Sequence, residues 1–264
     1  MNKTILHILA AAVTLCLCGI LPASALSTGQ RGDSAYAEEN YRQAVELYTA
    51  ALKENGPDAT LYYNLGNSHY RLGNTGYAIV NYERALNIDP SFADARTNRD
   101  FVLSRIDNLP EDDSTFLSNL HHSIIAWTTP TVWAWTAALL FLLLLVMAGM
   151  YIFGNGVMLR KTGFFGGIVV LALTIYVMSV AYSAASAQSD HSAAVVIVPV
   201  TNLNTVPRTP KNSDDKIIPM PEGARLRIID SLATPSDRLA PKWYDVKINN
   251  TSRAWVNAAH VERI

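Results

Sequence analysis

Small and apolar positions near the start of this 264-residue chain recur at a fixed interval of 34. Gly32, Ala44, Tyr48, Ala51 and Leu52 return as Gly66, Ala78, Tyr82, Ala85 and Leu86. The second copy predicts one helix with its turn over 59–74 and a partner helix over 76–90. Gly73 stands where the first helix must stop, and Pro90 where the second cannot continue. Gly66 and Ala78 lack bulk, so the two helices can approach within one side-chain layer. The first copy is more degenerate, with Arg31 in the place of Leu65 and Thr28 in that of Tyr62. A partial third copy over 93–107 reads as a solvated capping helix.

The pattern then changes twice. After a juxtamembrane stretch (109–131), residues 132–153 and 164–182 are apolar runs without a charge. At about 1.5 Å per residue they reach about 33 and 28 Å, enough to cross a bilayer core. Trp127, Trp133 and Trp135 precede the first run, as an interfacial aromatic belt would. The loop 154–163 holds Arg160 and Lys161 and no acid, and short basic loops stay cytoplasmic. Residues 183–192 read as a linker. From 193 to 264 the period becomes two: 193–200, 224–229, 243–248, 255–256 and 261–264 are short β-rich runs, with turn chemistry at 249–252. They predict a small β-barrel.

Half of the chain is hydrophobic, which suits these membrane segments. Residues 1–25 combine basic Lys3, an apolar stretch and Ala23-Ser24-Ala25, the pattern of a cleavable signal peptide, with an uncleaved anchor as the alternative. Both cysteines, Cys16 and Cys18, lie there, so the mature chain would hold no thiol for a disulfide, nucleophile or metal. The leader and the basic loop independently place the repeats and the C-terminal domain outside the cytoplasm. The fold class is therefore a multidomain membrane protein: an all-α repeat domain (26–108), a two-helix transmembrane hairpin and a small all-β domain (193–264).

Charge divides by domain. Residues 26–115 carry 8 basic and 14 acidic side chains, net −6, and residues 190–264 carry 10 and 8, net +2. Neither holds a like-charge run dense enough for nucleic acid. No phosphate-binding loop, dinucleotide fingerprint or nucleophile elbow is present. His121 and His122 are helix neighbours that point apart, and His69 and His260 lack ligands at metal spacing. The expectation is a protein without catalytic residues, cofactor or metal.

The 34-residue period, with Leu61-Tyr-Tyr-Asn-Leu-Gly-Asn67 and Gly76 through Pro90, resembles the tetratricopeptide repeat (TPR) family. That resemblance implies a concave groove for a protein partner, lined by the first helix of each repeat. Tyr63, Asn67, Tyr70 and Arg71 would point into it, with Asn98 one helix on. Asn67 holds the place from which an asparagine fixes a ligand backbone or terminal carboxylate. Tyr63 stands where a carboxylate clamp has lysine, so amide hydrogen bonds and aromatic contact are expected instead. Pro221-Glu222-Gly223, Trp243-Tyr-x-Val246, Trp255-Val256 and Val261 resemble a bacterial SH3-like domain, although Ala254 replaces its usual glycine. There Trp243, Tyr244 and Trp255 would line a peptide groove, or the tryptophans would fill the core. The ordered combination, with Arg160-Lys-Thr-Gly-Phe-Phe-Gly-Gly167, resembles the TPR-bearing BatE family of the Bacteroides aerotolerance (Bat) operon.

The Bat resemblance implies a two-pass protein of the inner membrane with both soluble domains periplasmic. Its partners would be other Bat proteins, including membrane-bound von Willebrand factor A proteins, in a complex tied to aerotolerance or envelope stress. A non-catalytic adaptor is the leading reading. A peptidoglycan-binding module that recruits a cell-wall enzyme is the alternative.

Overall fold

The computed structural model describes residues 26–110, 115–207, 217–234, 237–248 and 252–264. The expected leader, 1–25, lies outside them. Five helices open the fold: α1 (Thr28–Ala37), α2 (Tyr41–Asn55), α3 (Ala59–Arg71), α4 (Thr75–Ile88) and α5 (Ala93–Leu103). Local chemistry sets their ends. Ser27 and Gln30 form a reciprocal capping box on α1, and Asp58 accepts the Leu61 N–H at 2.8 Å on α3. Gly73, at φ 80°, makes the left-handed turn into α4.

The repeat period is a packing period. A Cβ on Gly32 would lie 2.7 Å from the Tyr48 ring, and one on Gly66 would lie 2.7 Å from the Tyr82 ring. Ala44, Ala51, Ala78 and Ala85 are fully buried between the helices. Each repeat thus closes a glycine against a tyrosine ring, which only a residue without a side chain permits.

Next come α6 (Phe116–Ile125) and two long apolar helices, α7 (Pro130–Phe153) and α8 (Val157–Ser189), packed as an antiparallel hairpin. Close approach again depends on a missing side chain. A Cβ on Gly163 would meet the Tyr151 backbone nitrogen at 2.6 Å and the Met147 carbonyl oxygen at 2.7 Å. Two expectations need correction here. The connecting loop shrinks to Gly154-Asn155-Gly156, and Arg160 and Lys161 sit on the first turn of α8. Arg160 Nε donates to the Gly154 carbonyl at 3.0 Å, which satisfies a group at the end of α7. The expected linker, 183–192, is helical to Ser189, because its Ser/Ala/Gln composition carries no helix breaker. At about 1.5 Å per residue α8 is about 50 Å long.

The C-terminal region is one antiparallel sheet: β1 (Ala193–Val196), β2 (Val200–Asn204), β3 (Ile217–Pro221), β4 (Arg225–Thr234), β5 (Asp237–Lys247), β6 (Arg253–Asn257) and β7 (Val261–Arg263). Its strand order is β3-β2-β6-β5-β4-β1-β7, with a short 3-10 turn (Ala258–His260) before β7. Val196, Leu203, Leu226, Val246 and Val256 form its buried core. The period-two pattern supplies this face directly, since alternate residues of a strand point to opposite sides.

Repeats and sheet share a core rather than standing apart on linkers. Val195 of β1 is buried in one cluster with Ala78, Ile79, Val80 and Tyr82 of α4 and Val102 of α5. Consequently α5 is not a solvated cap: Ala95 and Val102 are buried, and Leu103 and Ile106 pack beside the sheet. The Pro221-Glu222-Gly223 turn makes the closest contact. Glu222 Oε1 accepts the Gly76 N–H at 2.6 Å, capping a helix whose own Asn74 makes no side-chain cap. Arg84 pairs with Glu262 at 2.6 Å and donates to the Arg263 carbonyl at 2.7 Å. Gln188, on the last turn of α8, donates to the Asn87 carbonyl at 2.9 Å. Repeats, long helix and sheet thereby meet around α4.

Candidate protein-interaction groove

With the sheet seated against α4 and the Val102 side of α5, the exposed side chains of α1, α3 and α5 remain for a partner. The side chains expected there divide into two sets. Tyr63, Asn67 and Asn98 are committed to internal bonds. Asn67 Oδ1 accepts from the Tyr82 hydroxyl at 2.8 Å and from Asn98 Nδ2 at 2.9 Å. Asn98 Nδ2 also donates to the Tyr63 hydroxyl at 3.3 Å, while the Tyr63 ring lies against Tyr82 and Phe92. These side chains tie α3, α4 and α5 together, so the amide-mediated grip expected of Asn67 and Asn98 is largely occupied. Asn67→Ala is correspondingly a stability change and not a clean test of binding.

The same lock exists one repeat earlier. Asp33 Oδ1 accepts from the Tyr48 hydroxyl at 2.7 Å and from Asn64 Nδ2 at 3.1 Å. Asp33, Tyr48 and Asn64 precede Asn67, Tyr82 and Asn98 by one period each. Asp33 and Asn64 were not among the expected site residues, although carrying the 34-residue offset over to polar positions points to both. Burial, and in the first repeat the Asp33 carboxylate, push the phenols of Tyr48 and Tyr82 well above the ordinary value of 10.0. A group whose folded-state value is raised contributes stability that is present below its unfolded value and lost at higher pH. Repeat stability should therefore hold to about pH 10 and fall above it. Alkaline titration of tyrosinate absorbance should show two phenols ionising only as the helices unfold, and Tyr48→Phe with Tyr82→Phe should remove that late step.

Tyr70 and Arg71 form the second set, Arg71 exposed and Tyr70 half-buried against the shared core. Arg71 lies 5.7 Å from the Tyr41 ring centroid, with Tyr36 as a further electrostatic neighbour. One period on, Arg105 Nη1 donates to the Tyr70 hydroxyl at 3.4 Å and stacks 4.1 Å over the Phe101 ring. Tyr36 and Arg71 are thus repeated as Tyr70 and Arg105. Phe101 is 44% exposed, and Tyr70 meets its ring edge-on at 6.1 Å. Each unit offers an aromatic face and a guanidinium held ready, which suits an extended segment with acidic or carbonyl groups. Tyr36, Tyr41, Phe101 and Arg105 lie beyond the expected set, and the 34-residue offset points to Tyr36 from Tyr70 and to Arg105 from Arg71.

The three aromatic residues expected to share a groove on the sheet are separated by its register. Asp245 pairs with Trp255 and Trp243 with Asn257, which puts both tryptophans on one face of β5 and β6. Tyr244 points to the other face and packs against the sheet core. Both tryptophans are half-buried, neither core nor fully open. Between them on their face lies Asp245, which accepts from Arg253 at 2.5 Å. Among the histidines, His69 stacks on Tyr77 with ring centroids 5.2 Å apart, and burial lowers its pKa. His260 Nδ1 bonds the Thr201 hydroxyl at 2.8 Å.

Paired antiparallel helices that repeat their contacts at a fixed offset define a helical-repeat scaffold. Residues 30–94 match the tetratricopeptide repeat family model, and such repeats suggest a protein–protein interaction module. Among curated proteins, none matches the chain.

Proposed function

We propose that this protein is a non-catalytic, membrane-anchored adaptor whose repeat groove holds an extended segment of a partner protein beside the bilayer. The carrying observation is the pair of arginine–aromatic units, Tyr36–Tyr41–Arg71 and Tyr70–Phe101–Arg105, in which Arg71, Phe101 and Arg105 are exposed. The α7–α8 hairpin supplies the anchor. Leu139, Leu142, Val146, Ile168, Val169 and Ile175 are each about half exposed or more, an apolar surface that water would not tolerate and lipid would cover. Arg160 and Lys161 lie at the hairpin end away from the repeats and sheet; their charge favours the cytoplasm for that end and the periplasm for the soluble regions. The SH3-like reading of the sheet and the Bat-type assembly, with von Willebrand factor A membrane proteins as partners in aerotolerance or envelope stress, rest on the family resemblance.

A photo-crosslinking residue at position 101 in intact cells tests the groove. It should capture a membrane protein of the same complex, and Arg71→Glu with Arg105→Glu should reduce capture at least about tenfold, the scale of one lost charge-assisted contact. Undiminished capture in that variant would move the binding site elsewhere. Peptidoglycan binding is the second reading, favoured by the half-open Trp243 and Trp255 on one face, since aromatic rings stack on sugars. Sedimentation with purified peptidoglycan separates the two.

A further inference from the structure

A cavity of about 680 Å³ opens where the repeats, α6 and the last turns of α8 converge. Its wall carries three arginines, Arg96 and Arg99 of α5 and Arg225 of β4, together with apolar Leu86, Ile125 and Ala184. No carboxylate lines it among the described residues. Glu83, buried beside it, is shared by Arg99 at 3.4 Å and Arg225 at 3.5 Å, and Asp100 holds Arg99 at 2.8 Å. Asp190, at the end of α8, lies within electrostatic range of Arg227 and Arg225. Arg96 is held by carbonyls instead, those of Pro90 and Ala126, the latter at 3.0 Å. It has no carboxylate partner among the described residues, so its charge, unlike those of Arg99 and Arg225, meets the cavity without a paired acid.

Its height in the fold gives that charge a meaning. In an antiparallel hairpin the start of α7 and the end of α8 share one end. Ile125 and Ala126 lie just before Pro130, and Ala184 lies two residues past Tyr182, where the apolar run of α8 ends. Trp127, 77% exposed, marks the same level as an interfacial anchor. The cavity therefore sits at the edge of the apolar zone, with cations on its wall and aliphatic side chains beside them. Planar guanidinium groups match a phosphate in two-point hydrogen bonding, and the aliphatic rim suits the start of an acyl chain.

We propose that this cavity binds the phosphate head group of an anionic phospholipid, fixing the repeat–sheet unit at a set height and angle on the bilayer. The proposal rests on the membrane reading of α7 and α8. The ligand chemistry, a phosphate monoanion, is shared with free phosphate, and the arginine-lined cavity at the mouth of two spanning helices favours the lipid.

The test uses the full chain reconstituted in nanodiscs of phosphatidylcholine with a minor share of phosphatidylglycerol. Native mass spectrometry after release should show phosphatidylglycerol retained in preference to phosphatidylcholine. Arg96→Gln with Arg225→Gln should lower that preference by about fivefold for each arginine removed. Because Arg96 also braces two backbone carbonyls, Arg225→Gln alone, at a side chain 61% exposed, keeps the test independent of folding. Equal retention of both lipids by the native chain, or a preference unchanged in both variants, would overturn the proposal. So would arginine-dependent stabilisation by inorganic phosphate in neutral detergent with no response to phosphatidylglycerol. Failure of the chain to enter nanodiscs at all would instead sink the membrane reading.

Discussion

Gly76→Leu in the full-length protein should uncouple the repeats from the sheet. A Cβ at this position would lie 2.5 Å from the Val196 carbonyl oxygen and 2.8 Å from the Ile197 Cα. Both are backbone atoms, held by the Gly223 N–H on the Val196 carbonyl at 2.8 Å and by the Ile197 N–H on the His260 carbonyl at 3.0 Å, and cannot step aside as a flexible side chain would. The expected loss is about 3 kcal/mol, the upper end of the overpacking range. The amide that Glu222 caps is also displaced, which adds to it. In detergent, denaturant unfolding should change from one cooperative transition to two, with earlier proteolysis between the repeats and the strands. Glu222→Ala removes the cap without overpacking and should cost only about 1 kcal/mol. An unchanged single transition in Gly76→Leu would show that the two regions do not share a core in solution.

Gly66→Leu should weaken the repeats themselves. A Cβ there would meet the Tyr82 ring at 2.7 Å and the Ala78 carbonyl oxygen at 3.2 Å. The expected cost is about 1–3 kcal/mol. Tyr82→Ala should cost about 3–5 kcal/mol, because it empties the site of a fully buried ring and leaves Asn67 short of a donor. Combined, the two changes should cost less than their sum, since the leucine enters the space that the ring vacates. Additivity of the two changes within about 0.5 kcal/mol would mean that glycine and ring are not in contact.

Much of this organisation was legible in the sequence for an identifiable reason. A 34-residue period constrains every position that touches its neighbour, so Gly66, Tyr82, Gly73 and Pro90 announced helix pairing and helix ends without any tertiary information. The period also extends to polar positions. Aligned by the same offset, Asp33 and Asn64 foretell the lock of Asn67 and Asn98, and Tyr36 foretells the role of Tyr70. Breaks in the period were equally informative. Arg42 becomes Gly76 and Glu46 becomes Val80, two solvent-facing positions turned into buried ones. Such changes mark where a second surface lands, although they do not say which one.

The sequence by itself determined the local and the periodic: helix pairs from small residues at fixed offset, two apolar helices from uninterrupted runs, and a sheet core from alternation. These depend on contacts within one element or between adjacent ones. Only the tertiary structure decided what meets across the chain. It spent Asn67 and Asn98 on internal bonds, because each had a buried tyrosine hydroxyl within reach. It seated the Pro221-Glu222-Gly223 turn on α4, because a glycine, an uncapped helix end and a free carboxylate came together across 146 residues. It also gathered Arg96, Arg99 and Arg225 around one cavity. Their sequence spacing carries no common period, and no local rule links a helix to a strand that far away.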